Sequence, residues 1–254
     1  MKILVLYFSG AGATKKVAEL IFAKLVQDFE ADMFSVENGS IFNREHYDAL
    51  IIGTPVYHGA PARIIMDYVN AIPALSKDMP AFIYNTSGMY SFNTNRILAK
   101  KLLDKNIYTI MDRSYRGPAS DGAILAPFIK RFFEFEKGIE KKVDDDCKKF
   151  LEMLSNGIVQ SYIPKFNLLS VLNAPNKAAG QFITLKIHVH KDECIKCGLC
   201  IANCPHSAVL VSRNGYPLFE PSSCENCYRC IHHCPKAALS LSKRQKLKKL
   251  LPKN

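Results

Sequence analysis

Eight of the nine cysteines crowd between positions 194 and 234, and their spacing constrains this chain more than anything else in it. They spell Cys194-x-x-Cys197-x-x-Cys200-x-x-x-Cys204-Pro205 and, thirty residues on, Cys224-x-x-Cys227-x-x-Cys230-x-x-x-Cys234-Pro235. The repetition reaches past the cysteines, with Ile201 matching Ile231, Ala208 matching Ala238 and Ser212 matching Ser242. A repeat of this length predicts two copies of one small unit related by approximate two-fold symmetry.

Four thiolates around a cubane of iron and sulfide account for the spacing. Two-residue gaps let one tight loop supply three ligands and aim amide N–H groups at the sulfurs. The fourth ligand comes from the other repeat, at its Cys-Pro step. One [4Fe–4S] cluster is therefore expected on Cys194, Cys197, Cys200 and Cys234, and a second on Cys224, Cys227, Cys230 and Cys204. A zinc knuckle gives no role to a third cysteine at the next x-x step, and no export signal supports a disulfide framework. His206, His232 and His233 read as surface residues, since every ligand position is filled. Cys147 shares a helical stripe with Val143, Phe150, Leu151 and Leu154 and reads as buried core.

The chain's 254 residues leave room for a larger domain ahead of this unit. Ile3–Phe8, Ala49–Gly53, Ala81–Tyr84 and Ile107–Met111 are continuous apolar runs, as strands buried on both faces show, and 31–36 is a weaker edge candidate. Between them, Val17, Leu20, Ile21 and Leu25 keep helical spacing, and 62–72 and 94–103 look helical. The expectation is an α/β domain with a five-stranded parallel sheet in the order 2-1-3-4-5 and helices on both faces.

Ligands of such sheets sit at the carboxyl ends of the strands, where the order reverses. Ser9-Gly10-Ala11-Gly12-Ala13-Thr14 follows the first strand and opens a helix, a setting that offers free N–H groups to an anion. It lacks the Gly-Lys-Ser/Thr ending of a triphosphate loop and the third glycine of a dinucleotide fingerprint. Thr54-Pro55-Val56-Tyr57-His58-Gly59 and Thr86-Ser87-Gly88-Met89-Tyr90 close the next two strands, each placing an aromatic beside a turn.

With these loops the N-terminal part resembles a flavodoxin, residues 188–242 resemble a bacterial two-cluster ferredoxin, and the whole chain resembles bacterial flavodoxin–ferredoxin fusion proteins. The resemblance implies FMN, with its phosphate in residues 9–14 and its ring between 54–59 and 86–90, Tyr57 and Tyr90 stacking on it. Flavodoxins carry polar residues where Ala11 and Ala13 stand. Each phosphate hydrogen bond left unreplaced costs roughly 1.5–3 kcal/mol, with Lys15 and Lys16 available to compensate.

The expected organisation is 1–156 flavodoxin-like, 157–187 a packed connecting segment, 188–242 ferredoxin-like and 243–254 a basic tail. The connector is apolar rather than Gly/Ser-rich, with Ile163, Phe166, Leu168, Leu169, Val171, Leu172 and Phe182, and is punctuated by Pro164, Pro175 and Gly180. Residues 113–127, with three glycine-or-proline breaks, are expected as a loop, either one over the flavin face or an ordinary surface loop. The formal charge of +11 falls to about +5 once two clusters and a flavin phosphate are counted, so it does not point to nucleic acid. The run Lys243-Arg244-Gln245-Lys246-Leu247-Lys248-Lys249 reads as a solvated end, with docking to an acidic partner or a membrane surface as the alternative.

The function expected is electron transport: a flavo-iron–sulfur protein relaying electrons between two [4Fe–4S] clusters and FMN, with redox proteins as partners and a small acceptor possible at the flavin. The alternative is a carrier or redox sensor whose flavodoxin-like domain is empty and recognises a partner. No residue pattern marks a catalytic acid or base. The sequence shows neither a leader nor about eighteen consecutive apolar residues, so a cytoplasmic setting is expected.

Overall fold

The computed structural model describes residues 1–39, 46–157, 160–172, 186–245, 247 and 251. Five parallel strands form the main sheet: β1 (Lys2–Tyr7), β2 (Glu30–Ser35), β3 (Ala49–Tyr57), β5 (Met79–Ser87) and β6 (Ile107–Arg116), in the spatial order β2-β1-β3-β5-β6. That is the doubly wound order expected from the sequence, with the reversal between β1 and β3. A short β4 (Ala60–Pro61) folds back antiparallel on the end of β3. His58 and Gly59 both take positive φ between them, as a two-residue hairpin turn requires.

The continuous apolar runs arise because successive side chains leave a strand on opposite faces and both faces are covered. Leu4, Leu6, Leu50, Ile52, Ala81 and Ile83 pack under α2 (Arg63–Ala71) and α3 (Thr94–Leu103). Ile3, Val5, Ala49, Ile51, Phe82 and Tyr84 pack under α1 (Ala13–Leu25) and α5 (Ile139–Ser155). Cys147 lies in that second layer with Val143 and Phe150, fully buried, and burial pushes its thiol up to about 12.

The expected loop at 113–127 is only partly one. Strand β6 continues to Arg116, paired with Ser87 of β5, and Ser120–Leu125 forms a short helix, α4. The connecting segment, expected to be packed, is so only in part: Tyr162 donates to Asp112, Arg96 donates to the carbonyl of Pro164 and Ile163 packs on the layer under α2 and α3, but Phe166, Leu168, Leu169 and Val171 are exposed. A four-residue helix, α6 (Leu169–Leu172), follows. Pro175, Gly180, Phe182, Lys246, Lys248, Lys249 and the side chain of Leu172 lie outside the described residues.

The C-terminal unit is built as its repeat predicts. Strand β7 (His188–Val189), helix α7 (Leu199–Ala202) and strand β8 (Val209–Val211) are mirrored by β9 (Pro217–Phe219), α8 (Arg229–His232) and β10 (Leu239–Ser240). Each strand of one repeat pairs with one of the other, β7 with β10 and β8 with β9. No helix among the described residues is long and apolar enough to cross a membrane.

Candidate functional site

Where β1, β3 and β5 end, two neighbouring pockets open. The first is lined by Ser9, Gly10, Ala11, Ala13 and Thr14 from the loop before α1, Pro55–Tyr57, Thr86–Gly88, and Pro118–Asp121. Gly12 stands at the N-cap of α1 with φ 93°, a left-handed conformation that glycine adopts without strain. The first amides of the helix have no intrahelical acceptor and are available to an anion. At the base of the pocket the hydroxyls of Thr14 and Thr86 pair at 2.8 Å.

No Lys or Arg lines this pocket among the described residues. Lys16 is exposed, and Lys15 stands 3.9 Å from Glu19. Neither lysine lines the pocket beside Ala11 and Ala13. Backbone amides and the threonine pair are the groups that fit a phosphate here.

The second pocket is a wider cleft bounded by Val56–Gly59, Ser87–Tyr90, Phe92, Ala119–Gly122, Leu125 and Phe132. Its aromatic and small-residue walls suit a flat ring system. Tyr90 stands at its rim, more than half exposed, with its ring 5.8 Å from that of Phe92. The Thr54 hydroxyl is turned away, accepting from Ala62 N and donating to the carbonyl of Pro55.

The described cysteines approach one another across the two repeats, although no three of them are placed closely enough to hold a single metal ion. Cys194, Cys197, Cys200 and Cys234 line one cavity together. Burial raises the thiols of Cys224 and Cys230, and Cys204 is among the neighbours that raise each of them further. The two Cys-Pro steps match: Ala208 N donates to Cys204 Sγ at 3.2 Å, and Ala238 N to Cys234 Sγ at the same distance. Such amide-to-sulfur bonds stabilise a thiolate.

The residues between the cysteines break this symmetry. In the first loop Ile195 is 57% and Leu199 42% exposed. Their counterparts in the second loop are Glu225 and Arg229, and Asn226, Tyr228 and Arg229 are only 4%, 5% and 7% exposed. All four second-loop side chains meet the N-terminal domain. Glu225 accepts from the backbone N–H of Arg63, and Asn226 and Tyr228 form part of the wall of the wide cleft. Tyr228 also packs with Ile124. It holds φ 55° where the first loop has Gly198 at φ 74°, a strained setting for a side chain that the surrounding contacts must maintain.

Arg229 is the most heavily bonded residue at this joint. Its Nε donates to Gly10 O at 3.1 Å and Nη2 to Ser9 O at 2.7 Å. Glu37 accepts from Nη1 at 2.5 Å and from Nη2 at 2.7 Å, and Nη1 also donates to Asn203 O at 3.2 Å. All five guanidinium N–H groups are thus used. The guanidinium carbon lies 5.0 Å from the ring centre of Phe8.

Tyr57, expected against a ring, lies at the same joint. A methyl placed on Gly10 would fall 2.0 Å from the Tyr57 hydroxyl and 3.5 Å from Cβ of Cys227, so loop, phenol and second cysteine loop meet at one point. Burial, with Cys227 and Glu225 nearby, pushes the phenol well above its usual range. Burial also pushes the Cys227 thiol up to about 12.

Two readings of the C-terminal part need correction. His232 is buried rather than at the surface: its Nε2 lies 2.8 Å from Ser120 O, and its Nδ1 accepts from Leu251 N. His206 faces Glu225 at 2.8 Å. The tail is not wholly solvated either, since Leu251 is buried and Gln245 donates to Ile124 O. Packing of one domain on the other encloses residues that would be at the surface of a free ferredoxin.

Known proteins match both parts. Residues 4–142 fit the family model described as Flavodoxin domain, and residues 193–238 the one described as 4Fe-4S dicluster domain. Over 85 residues, 34% of this chain, the sequence is 31% identical to pyruvate synthase subunit PorD of Pyrococcus horikoshii, spanning 73% of that protein. The corresponding subunit of Pyrococcus abyssi is 29% identical over a stretch of the same length. Oxidised flavodoxin 2 from Bacillus cereus aligns with a TM-score of 0.48 and 17% identity, covering 60% of this chain and 99% of that one. The rubredoxin oxygen:oxidoreductase of Desulfovibrio gigas gives 0.47 and 11%, covering 63% and 37%.

Proposed function

The chain belongs to the flavodoxin domain family and carries a 4Fe-4S dicluster domain behind it, and on that footing we propose that it relays electrons between two [4Fe–4S] clusters and a bound FMN. The observation that carries this reading is the joint: the second cysteine loop forms part of the wall of the cleft at the sheet's carboxyl end. A domain tethered only for recognition would have no need to put a cluster loop there. Bound FMN would exchange one or two electrons and each cluster one, so together they couple single-electron carriers to a two-electron acceptor.

In this proposal residues 1–156 hold the flavin, 157–187 connect, 188–242 hold the clusters, and 243–254 form the tail. Gly10–Thr14 and Thr86 bind the phosphate, while Val56–Gly59 and Ser87–Tyr90 border the ring. Cys204, Cys224, Cys227 and Cys230 hold the cluster on the flavin side. Cys194, Cys197, Cys200 and Cys234 hold the outer one, whose loop is exposed and open to a redox partner. The likeness to a pyruvate synthase subunit makes a pyruvate synthase one candidate for that partner.

A second reading keeps the clusters and leaves the flavodoxin-like domain empty, as a surface for partner recognition. Ala11 and Ala13, both at the phosphate pocket, favour it. An anaerobic FMN titration of cluster-loaded protein separates the two. Saturable binding at micromolar FMN supports the relay, and no binding at millimolar FMN eliminates it.

A further inference from the structure

The loop that would receive the flavin phosphate is fastened from behind by a residue of the second cysteine loop. Arg229 occupies the x-x gap between Cys227 and Cys230 and donates to the carbonyls of Ser9 and Gly10, while its bond to Asn203 O ties it to the residue before Cys204. Cys204 therefore adjoins an Arg229 contact, and Cys227 and Cys230 stand two residues and one residue from Arg229 itself. In a trans peptide whose carbonyl is held toward Arg229, the following N–H lies on the opposite side, and here those N–H groups belong to Gly10 and Ala11, which both line the pocket. Glu37 accepts both remaining guanidinium bonds and fixes the direction of the fork.

From this geometry we propose that Arg229 is a positioning residue that couples the two cofactor sites, so that the cluster on Cys204, Cys224, Cys227 and Cys230 and the ligand of the 9–14 loop each strengthen binding of the other. The inference rests on the reading of that pocket as an FMN phosphate site. Arg229 acts through backbone geometry rather than by its charge, because Glu37 neutralises it and it lies on the carbonyl side of the loop. Thermodynamic reciprocity then requires the effect to run both ways. The internal repeat supplies its own control, since the matching position of the first loop holds exposed Leu199.

The test uses full-length, cluster-loaded Arg229→Met, Glu37→Gln and Leu199→Met proteins, with iron content measured first and FMN as the probe. Arg229→Met is expected to weaken FMN binding on the order of tenfold with iron content unchanged, a size typical of coupling between sites. Glu37→Gln is expected to weaken it less, and Leu199→Met not at all. Reciprocally, saturating FMN is expected to raise the chelator concentration that strips half the iron from the wild type and from Leu199→Met, but not from Arg229→Met. If Arg229→Met does not load iron, Glu37→Gln carries the test through the same two readouts. Equal FMN affinity in all four proteins, or equal FMN protection in all, overturns the coupling and leaves the relay standing. Failure of the cluster-loaded wild type to bind FMN overturns both.

Discussion

Gly10 is the position where a single added carbon probes the joint most directly. Its ideal Cβ would lie 2.0 Å from the Tyr57 hydroxyl oxygen, a separation real Cβ atoms do not reach, 3.3 Å from Tyr57 Cζ and 3.5 Å from Cβ of Cys227. Tyr57 offers only two side-chain torsions with which to withdraw, and Cys227 closes one direction. Gly10→Ala is therefore expected to cost about 1–3 kcal/mol, the range of overpacked sites. Tyr57→Phe removes the atom in severest conflict and leaves a tight but tolerable 3.3 Å contact. In that background Gly10→Ala is expected to cost at least about 1 kcal/mol less, a coupling of the size found between touching residues. Urea unfolding of the four cluster-loaded proteins, followed by far-ultraviolet circular dichroism, measures the cycle. Additive costs within about 0.3–0.5 kcal/mol would refute the contact between the loop and Tyr57.

Three further outcomes follow from other parts of the molecule. Cys204→Ala is expected to remove the inner cluster and abolish electron exchange with the flavin, while Cys234→Ala removes only the outer one; iron content, and whether flavin reduction under limiting dithionite keeps a rate independent of protein concentration, distinguish them. Phe150→Ala, which empties a buried site 5.5 Å from the Phe82 ring centre, is expected to cost about 3–5 kcal/mol in urea unfolding. Cys147 is expected to resist maleimide in the native protein at pH 8, since burial pushes its thiol up to about 12, and to react once unfolded, as peptide mass mapping will show.

The sheet was legible because strands buried on both faces cannot disguise themselves. Ile3 and Leu4 point to opposite helical layers, and both must be apolar. The cysteine repeat was equally open, and the structure gives its two halves matching amide-to-sulfur bonds. The joint was not legible. Arg229 meets Ser9 and Gly10 across about 220 positions of chain, and no local period reports such a contact. His232 was misread for the same reason, since what buries it includes Ser120 of the other domain. One trace was present in the sequence. Aligned against the first loop, the second replaces Ile195, Lys196, Gly198 and Leu199 by Glu225, Asn226, Tyr228 and Arg229. A tyrosine at the position of a left-handed glycine is a costly choice on a free surface and points to a contact.

The most direct test of the account is anaerobic stopped-flow mixing of FMN- and cluster-loaded protein with limiting dithionite, following cluster and flavin absorbance together. The relay requires flavin reduction to follow cluster reduction at a rate independent of protein concentration, as transfer within one molecule demands. Flavin reduction in proportion to protein concentration, or clusters that stay reduced beside an oxidised flavin able to accept electrons, would contradict it.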